Sequence, residues 1–151
     1  MADISVWHPK AFFNVVLMRS VLHYNSLTKQ EKILKNTASI MNSDSIFFNQ
    51  LLSGDDDTIK LYQKIQNSVF GRKVLLLNEM DYLKIASNAF KEVEKIGDCS
   101  PIKITAKDML DRFSQNKTKR KEYWLKLQKV SGWDNENEAV ILQFPIFRHR
   151  T

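Results

Sequence analysis

Helix start and stop signals punctuate this sequence from end to end, and they limit the folds open to it before any composition is counted. Pro9 follows His8 and suits a first helical turn, where its missing N–H leaves nothing unpaired. Thr28 with Glu31, and Thr105 with Asp108, have the spacing of capping boxes, while Asn78 stands where a cap belongs. Gly54, Gly71, Gly97 and Gly132 follow periodic segments as stops.

Between these marks the apolar spacing is helical. Phe12 to Leu22 is apolar on all sides, which predicts a central helix packed by several neighbours. Ile33, Leu34, Thr37, Ala38, Ile40 and Met41 make the stripe of a second helix, which Asn42-Ser43-Asp44 breaks. A short apolar group from Ile46 to Leu52 leads into Gly54, and Asp55-Asp56-Asp57 opens a third helix, as acidic residues at a helix N-terminus should. Val74 to Leu77 fits a buried strand or a helix start equally. The most regular amphipathic pattern runs from Asn78 to Gly97, with Tyr82, Ala86, Phe90 and Val93 on one side, and predicts a helix over 79–96.

The character changes after Cys99-Ser100-Pro101. Ile102-Lys103-Ile104 alternates like a strand, a capped helix follows over 105–114, and a second helix runs over 117–130. Ala139 to Phe144 reads as a strand that Pro145 restricts to an edge or a kink. This order of elements resembles a winged helix-turn-helix, at the level of topology. The resemblance implies a third helix, 117–130, placed in the major groove.

The fold class expected is therefore mainly α: a helical bundle with a small β component near the C-terminus and a winged-helix-like C-terminal third. At 151 residues the chain can bury a core of its own, and with no Gly-rich or Pro-rich linker it is expected to form a single compact domain over 1–151. Sub-units over 1–97 and 98–151 are the division the sequence suggests.

Charge supplies the functional signal. From Arg112 to Lys129 seven bases face one acid, Glu122, which accounts for the whole net charge of +6. Bases and acids balance elsewhere, so the excess sits on one helix and the turn before it. The candidate nucleic-acid-binding residues are Arg112, Lys117, Lys119, Arg120, Lys121, Lys126 and Lys129. The expectation is a non-enzymatic, basic, nucleic-acid-binding protein, with duplex DNA as partner and a regulatory or accessory role. Leu125, in the middle of the basic face, favours the alternative of a helical protein-interaction module, an adaptor or inhibitor with a groove between amphipathic helices. Either way the N-terminal helices are expected to hold a homodimer or a protein partner.

Enzyme chemistry is not expected from the linear pattern. One cysteine allows neither an intrachain disulfide nor a cysteine-based metal site. His8, His23 and His149 are far apart, and no phosphate-binding Gly-x-x-x-x-Gly-Lys-Ser/Thr loop accompanies Val74 to Glu79. No catalytic residue, metal or cofactor is assigned. No apolar run approaches a membrane span and the N-terminus lacks the pattern of a signal peptide, so an intracellular location, cytoplasmic or nuclear, without membrane contact is expected.

Overall fold

The computed structural model describes residues 12–151. Its organising element is a four-stranded mixed sheet in the order β1-β2-β4-β3, built from β1 (Phe13–Arg19), β2 (Met41–Gln50), β3 (Glu92–Thr105) and β4 (Ala139–Arg150). β1 and β2 are parallel and joined by α1 (Leu27–Ser39), the crossover that a parallel pair needs. β4 runs antiparallel to both β2 and β3. Between β2 and β3 lie α2 (Asp56–Ser68) and α3 (Glu79–Ala86), and between β3 and β4 lie α4 (Ala106–Phe113) and α5 (Lys117–Ser131).

The mainly helical class is thereby corrected to α/β. The segment expected as the first central helix is β1, and the part of it before residue 12 lies outside the described residues. The Val16 and Met18 side of β1 packs on the core while the Val15 and Leu17 side is exposed, so the apolar residues on both sides hide the strand alternation and imitate a centrally packed helix. Asn42-Ser43-Asp44 does not break the chain but lies inside β2. The helix over 79–96 ends at Ala86, and its second half enters β3, an edge strand so exposed that its alternation is faint. The winged-helix expectation fails at β4. The strand–helix–helix–strand order is present, but β4 enters the middle of the α/β sheet instead of returning as a wing. Pro145 is therefore in an interior strand, between the two register shifts of the β3–β4 ladder, and its carbonyl accepts from Leu51 N at 3.0 Å.

Local signals hold where a side chain meets the backbone. Asp55 caps α2 by accepting from Thr58 N at 2.8 Å, Thr105 and Asp108 form the capping box of α4, and Asn116 caps α5, which ends at Gly132 with φ +75°. α1 is capped by Ser26 instead of Thr28. The ambiguous stretch 74–77 is neither helix nor strand. Its backbone is satisfied by side chains from three elements: Leu75 O accepts from Gln30 Nε2, Leu76 N donates to Gln63 Oε1, and Leu77 O accepts from Ser53 Oγ.

Two apolar clusters flank these strands. One joins Met18, Ile33, Leu34, Phe47, Tyr82 and Phe147, and the other joins Leu52, Ile65, Met109, Leu127, Trp133 and Leu142. Within the first cluster His149 is fully buried. Its Nδ1 lies 3.1 Å from the Phe47 carbonyl, which can only accept, so Nδ1–H donates there and Nε2 accepts from the Tyr82 hydroxyl at 2.6 Å. Burial, offset in part by the Phe47 carbonyl, lowers the His149 pKa from 6.5 to about 4. On the opposite side of β1, Val15 and Leu17 are 57% and 76% exposed.

Two outcomes are expected of the His149 arrangement. Tyr82→Phe keeps the ring but leaves Nε2 buried without a partner, and should lower stability in urea unfolding by about 1–3 kcal/mol at pH 7. Because the folded pKa lies below the ordinary value, the stability that His149 contributes is complete above pH 6.5 and falls as the pH is lowered towards 4. Urea midpoints measured from pH 7 to pH 4 should decline through that window.

Candidate functional site

In open α/β sheets ligands settle outside the carboxyl ends of the parallel strands. Those ends here are Arg19 on β1 and Gln50 on β2, and a cavity of about 490 Å³ lies beside them. Its floor comes from Ser20, just past β1, and Leu52, just past β2. Ile104 from the end of β3 and Phe144 from β4 form one wall, and Tyr62 of α2 with Arg112 of α4 stand over the opening. Antiparallel pairing makes this convergence necessary, since β4 begins at the same end of the sheet where β1, β2 and β3 finish.

The backbone entering the cavity is strained. Ser20 has φ +48°, the sole positive φ of a non-glycine among the described residues, while its N–H donates to Gln50 O at 2.9 Å. That turn delivers His23, in a short 3-10 helix over Leu22–Tyr24. The His23 carbonyl accepts from Leu75 N at 2.8 Å, which ties this turn to the side-chain-held segment 74–77. The imidazole is 96% buried, as 4% remains exposed, and its Nδ1 has no hydrogen-bond partner in the protein. Burial first, and then the positive charge of Arg72, lower its pKa from 6.5 to about 4, so the ring is neutral at pH 7. The cavity is thus lined by a neutral, buried imidazole that keeps one nitrogen without a protein partner.

Tyrosines flank it. The His23 and Tyr24 rings are 4.0 Å apart between centroids, and Tyr24 carries the Arg72 guanidinium over its face at 5.6 Å. The Tyr62 hydroxyl is held above its usual pKa, mainly by burial, so it stays protonated and can donate.

Of the seven basic residues singled out in the sequence, the structure brings only Arg112 to this cavity. The other six lie on α5, away from its lining. Arg120 bridges Asp111 and Glu136, tying α5 to α4 and to the turn before β4. Lys126 pairs with Glu122 at 2.6 Å, and Lys119 lies 5.7 Å from the Tyr123 ring centre. The cavity residues Ser20, His23 and Tyr62 carried no sequence motif. The only trace was His23 beside Tyr24 directly after a run of apolar residues, once that run is taken as a strand. Among the described residues no group of His, Cys, Asp and Glu could hold a metal ion, and no helix is long and apolar enough to cross a membrane.

No protein-family model matches the chain, and no curated protein does. Solved structures do match. The YcgJ protein from Bacillus subtilis superposes with a TM-score of 0.72 at 11% identity, over 99% of this chain and 69% of that one. A putative methyltransferase from Bacillus halodurans gives 0.66 at 13%, again over 99% and 69%. LepI in complex with SAM gives 0.52 at 10%, over 99% of this chain and 29% of that one. At these identities the likeness is one of fold. It replaces the winged-helix frame on which the nucleic-acid reading rested, and with it go the DNA-binding and non-enzymatic expectations, the adaptor alternative, and nucleic acid or a helix-mediated dimer as partner. The fold is one that a putative methyltransferase and a SAM-bound protein also use.

The electrostatic coupling at the cavity is open to direct measurement. Arg72→Gln removes a charge that lowers the His23 pKa, so an NMR titration should show that pKa moving up from about 4 while that of His149 stays in place. An unmoved His23 would separate the two residues.

Proposed function

We propose that this chain is the acceptor-binding part of a small-molecule methyltransferase, with the cavity at the ends of β1 and β2 as the place where the acceptor sits. The observation that carries this reading is the cavity at the carboxyl ends of β1 and β2, lined by the polar groups of His23, Tyr62 and Arg112 beside apolar side chains. The volume of about 490 Å³ suits a small organic molecule, and the mixture of aromatic walls with a few polar groups is that of a ligand pocket. The fold shared with a putative methyltransferase and with a SAM-bound protein supports the reaction class. A single compact domain is part of the same proposal.

The described residues do not fit the whole of a nucleoside-type methyl donor. Such ligands sit where strand order reverses, over a glycine-rich turn that admits close backbone approach. Here β1 is the last described strand on its side of the sheet. The chain has four glycines, and the one that follows a parallel strand, Gly54, is packed by its own helix, with Thr58 Cγ2 at 3.2 Å from the position of an added Cβ. No cradle for a donor is formed there. What these residues do is bind and orient the acceptor: the Tyr62 hydroxyl offers a hydrogen bond, and Leu52, Ile104 and Phe144 exclude water.

Two measurements on the full chain test this. Calorimetric titration with S-adenosylmethionine should show no saturable binding tighter than about 1 mM, a free energy of about −4 kcal/mol. Micromolar binding would overturn the reading that the described residues form no cradle for the donor. Addition of 2-naphthol should shift the amide resonances of Ser20, His23 and Tyr62. Shifts confined to residues remote from the cavity would overturn the acceptor site.

A further inference from the structure

Five basic residues of this protein form ion pairs among the described residues, and most of the others do not. Lys95, Lys107, Arg120, Lys126 and Arg148 each hold a carboxylate. Arg72, Lys103 and Arg112, which gather at one cavity, form no ion pair among the described residues. Arg112 and Lys103 line the cavity itself, and Arg72 reaches it through the Tyr24 ring. The two guanidiniums share a second ring as well, since Arg72 stands 4.9 Å and Arg112 5.5 Å from the centre of Phe113. Phe113 is in turn held by Phe70, with ring centroids 4.7 Å apart.

The opposing charge on the lining is Asp108, so Lys103, Arg112 and Asp108 together leave it one positive charge in excess. The Asp108 Oδ2 accepts from Thr105 N at 2.9 Å and from Thr105 Oγ1 at 2.6 Å, as the cap of α4. Aromatic faces steady a guanidinium but do not neutralise it. A planar oxyanion answers the excess positive charge of the lining, and the Arg112 guanidinium fork matches its two oxygens. Leu52, Ile104, Leu142 and Phe144 supply the apolar part of the lining.

We infer that the cavity takes a small organic carboxylate with an apolar body, its carboxylate held by Arg112 and Lys103 and its body lying on Phe144 and Leu142. The inference rests on the acceptor-binding reading and names the substrate class within it. The Tyr62 hydroxyl adds a neutral donor at the charged end, and His23 meets the other end of the molecule. Recognition by charge at the mouth and by apolar contact within it fixes the direction in which an acceptor enters.

The test compares 2-naphthoate with 2-naphthamide, which has the same body and no charge, by equilibrium titration of the full chain. The carboxylate should bind at least tenfold more tightly at low salt. That preference should shrink as salt rises from about 0.01 M to about 1 M, where the screening length falls from about 30 Å to about 3 Å. Arg112→Gln should bring the two ligands within about threefold of each other. Lys103→Gln, at an exposed strand position, provides a second variant should the first unfold, and circular dichroism checks both. Equal affinities in the wild type would overturn the carboxylate inference and leave the acceptor site standing. Binding of neither ligand would overturn both.

Discussion

Everything in this structure hangs on the seating of β4 between β2 and β3. That one strand converts a β1-α1-β2 unit and a long β3 into a single sheet, and it brings His149 under the Phe47 carbonyl and the Tyr82 hydroxyl. A buried imidazole that uses both nitrogens links three elements, β4, β2 and α3, through contacts that are directional and hard to replace. Apolar packing alone would tolerate a sliding of β4. With its imidazole between two fixed partners, a slip of one residue would turn His149 to the other face and strand both of them.

The cavity inherits its form from that register. Because β4 starts where the other three strands finish, residues far apart in sequence, Ser20, Leu52, Ile104 and Phe144, become neighbours. The segment 74–77 then serves as a brace: it has no secondary structure of its own, is tied by Gln30, Gln63 and Ser53, and passes its rigidity to the turn that holds His23. Polar side chains replace backbone ladders there, which leaves the region ordered without closing the space beside it.

Legibility in the sequence followed the range of the forces involved. Caps are local, and Asp55, Asn78, Thr105 with Asp108, and Gly132 were all readable. Strand identity is not local. Phe13–Arg19 is apolar on both sides although only the side of Val16 and Met18 meets the core, so no alternation marks it as a strand, and Glu92–Thr105 is an edge whose exposure removes the alternation that marks a strand. The site was hidden for a related reason: its members contribute one residue each from separate elements, so no spacing could announce them. Arg112 was found through charge, but the same count drew attention to α5, where Arg120 and Lys126 answer carboxylates of their own.

The exposed side of β1 has a consequence for handling the molecule. Val15 and Leu17 present apolar surface on a strand whose outer edge carries no described partner, flanked by Asn14 and Arg19 as the polar residues at hand. Such an edge is a template on which another extended chain can add, and charge near it acts as a gatekeeper. A short ribbon at one margin of the sheet is thus where like could add to like, and Arg19 is the one charged residue that β1 sets there.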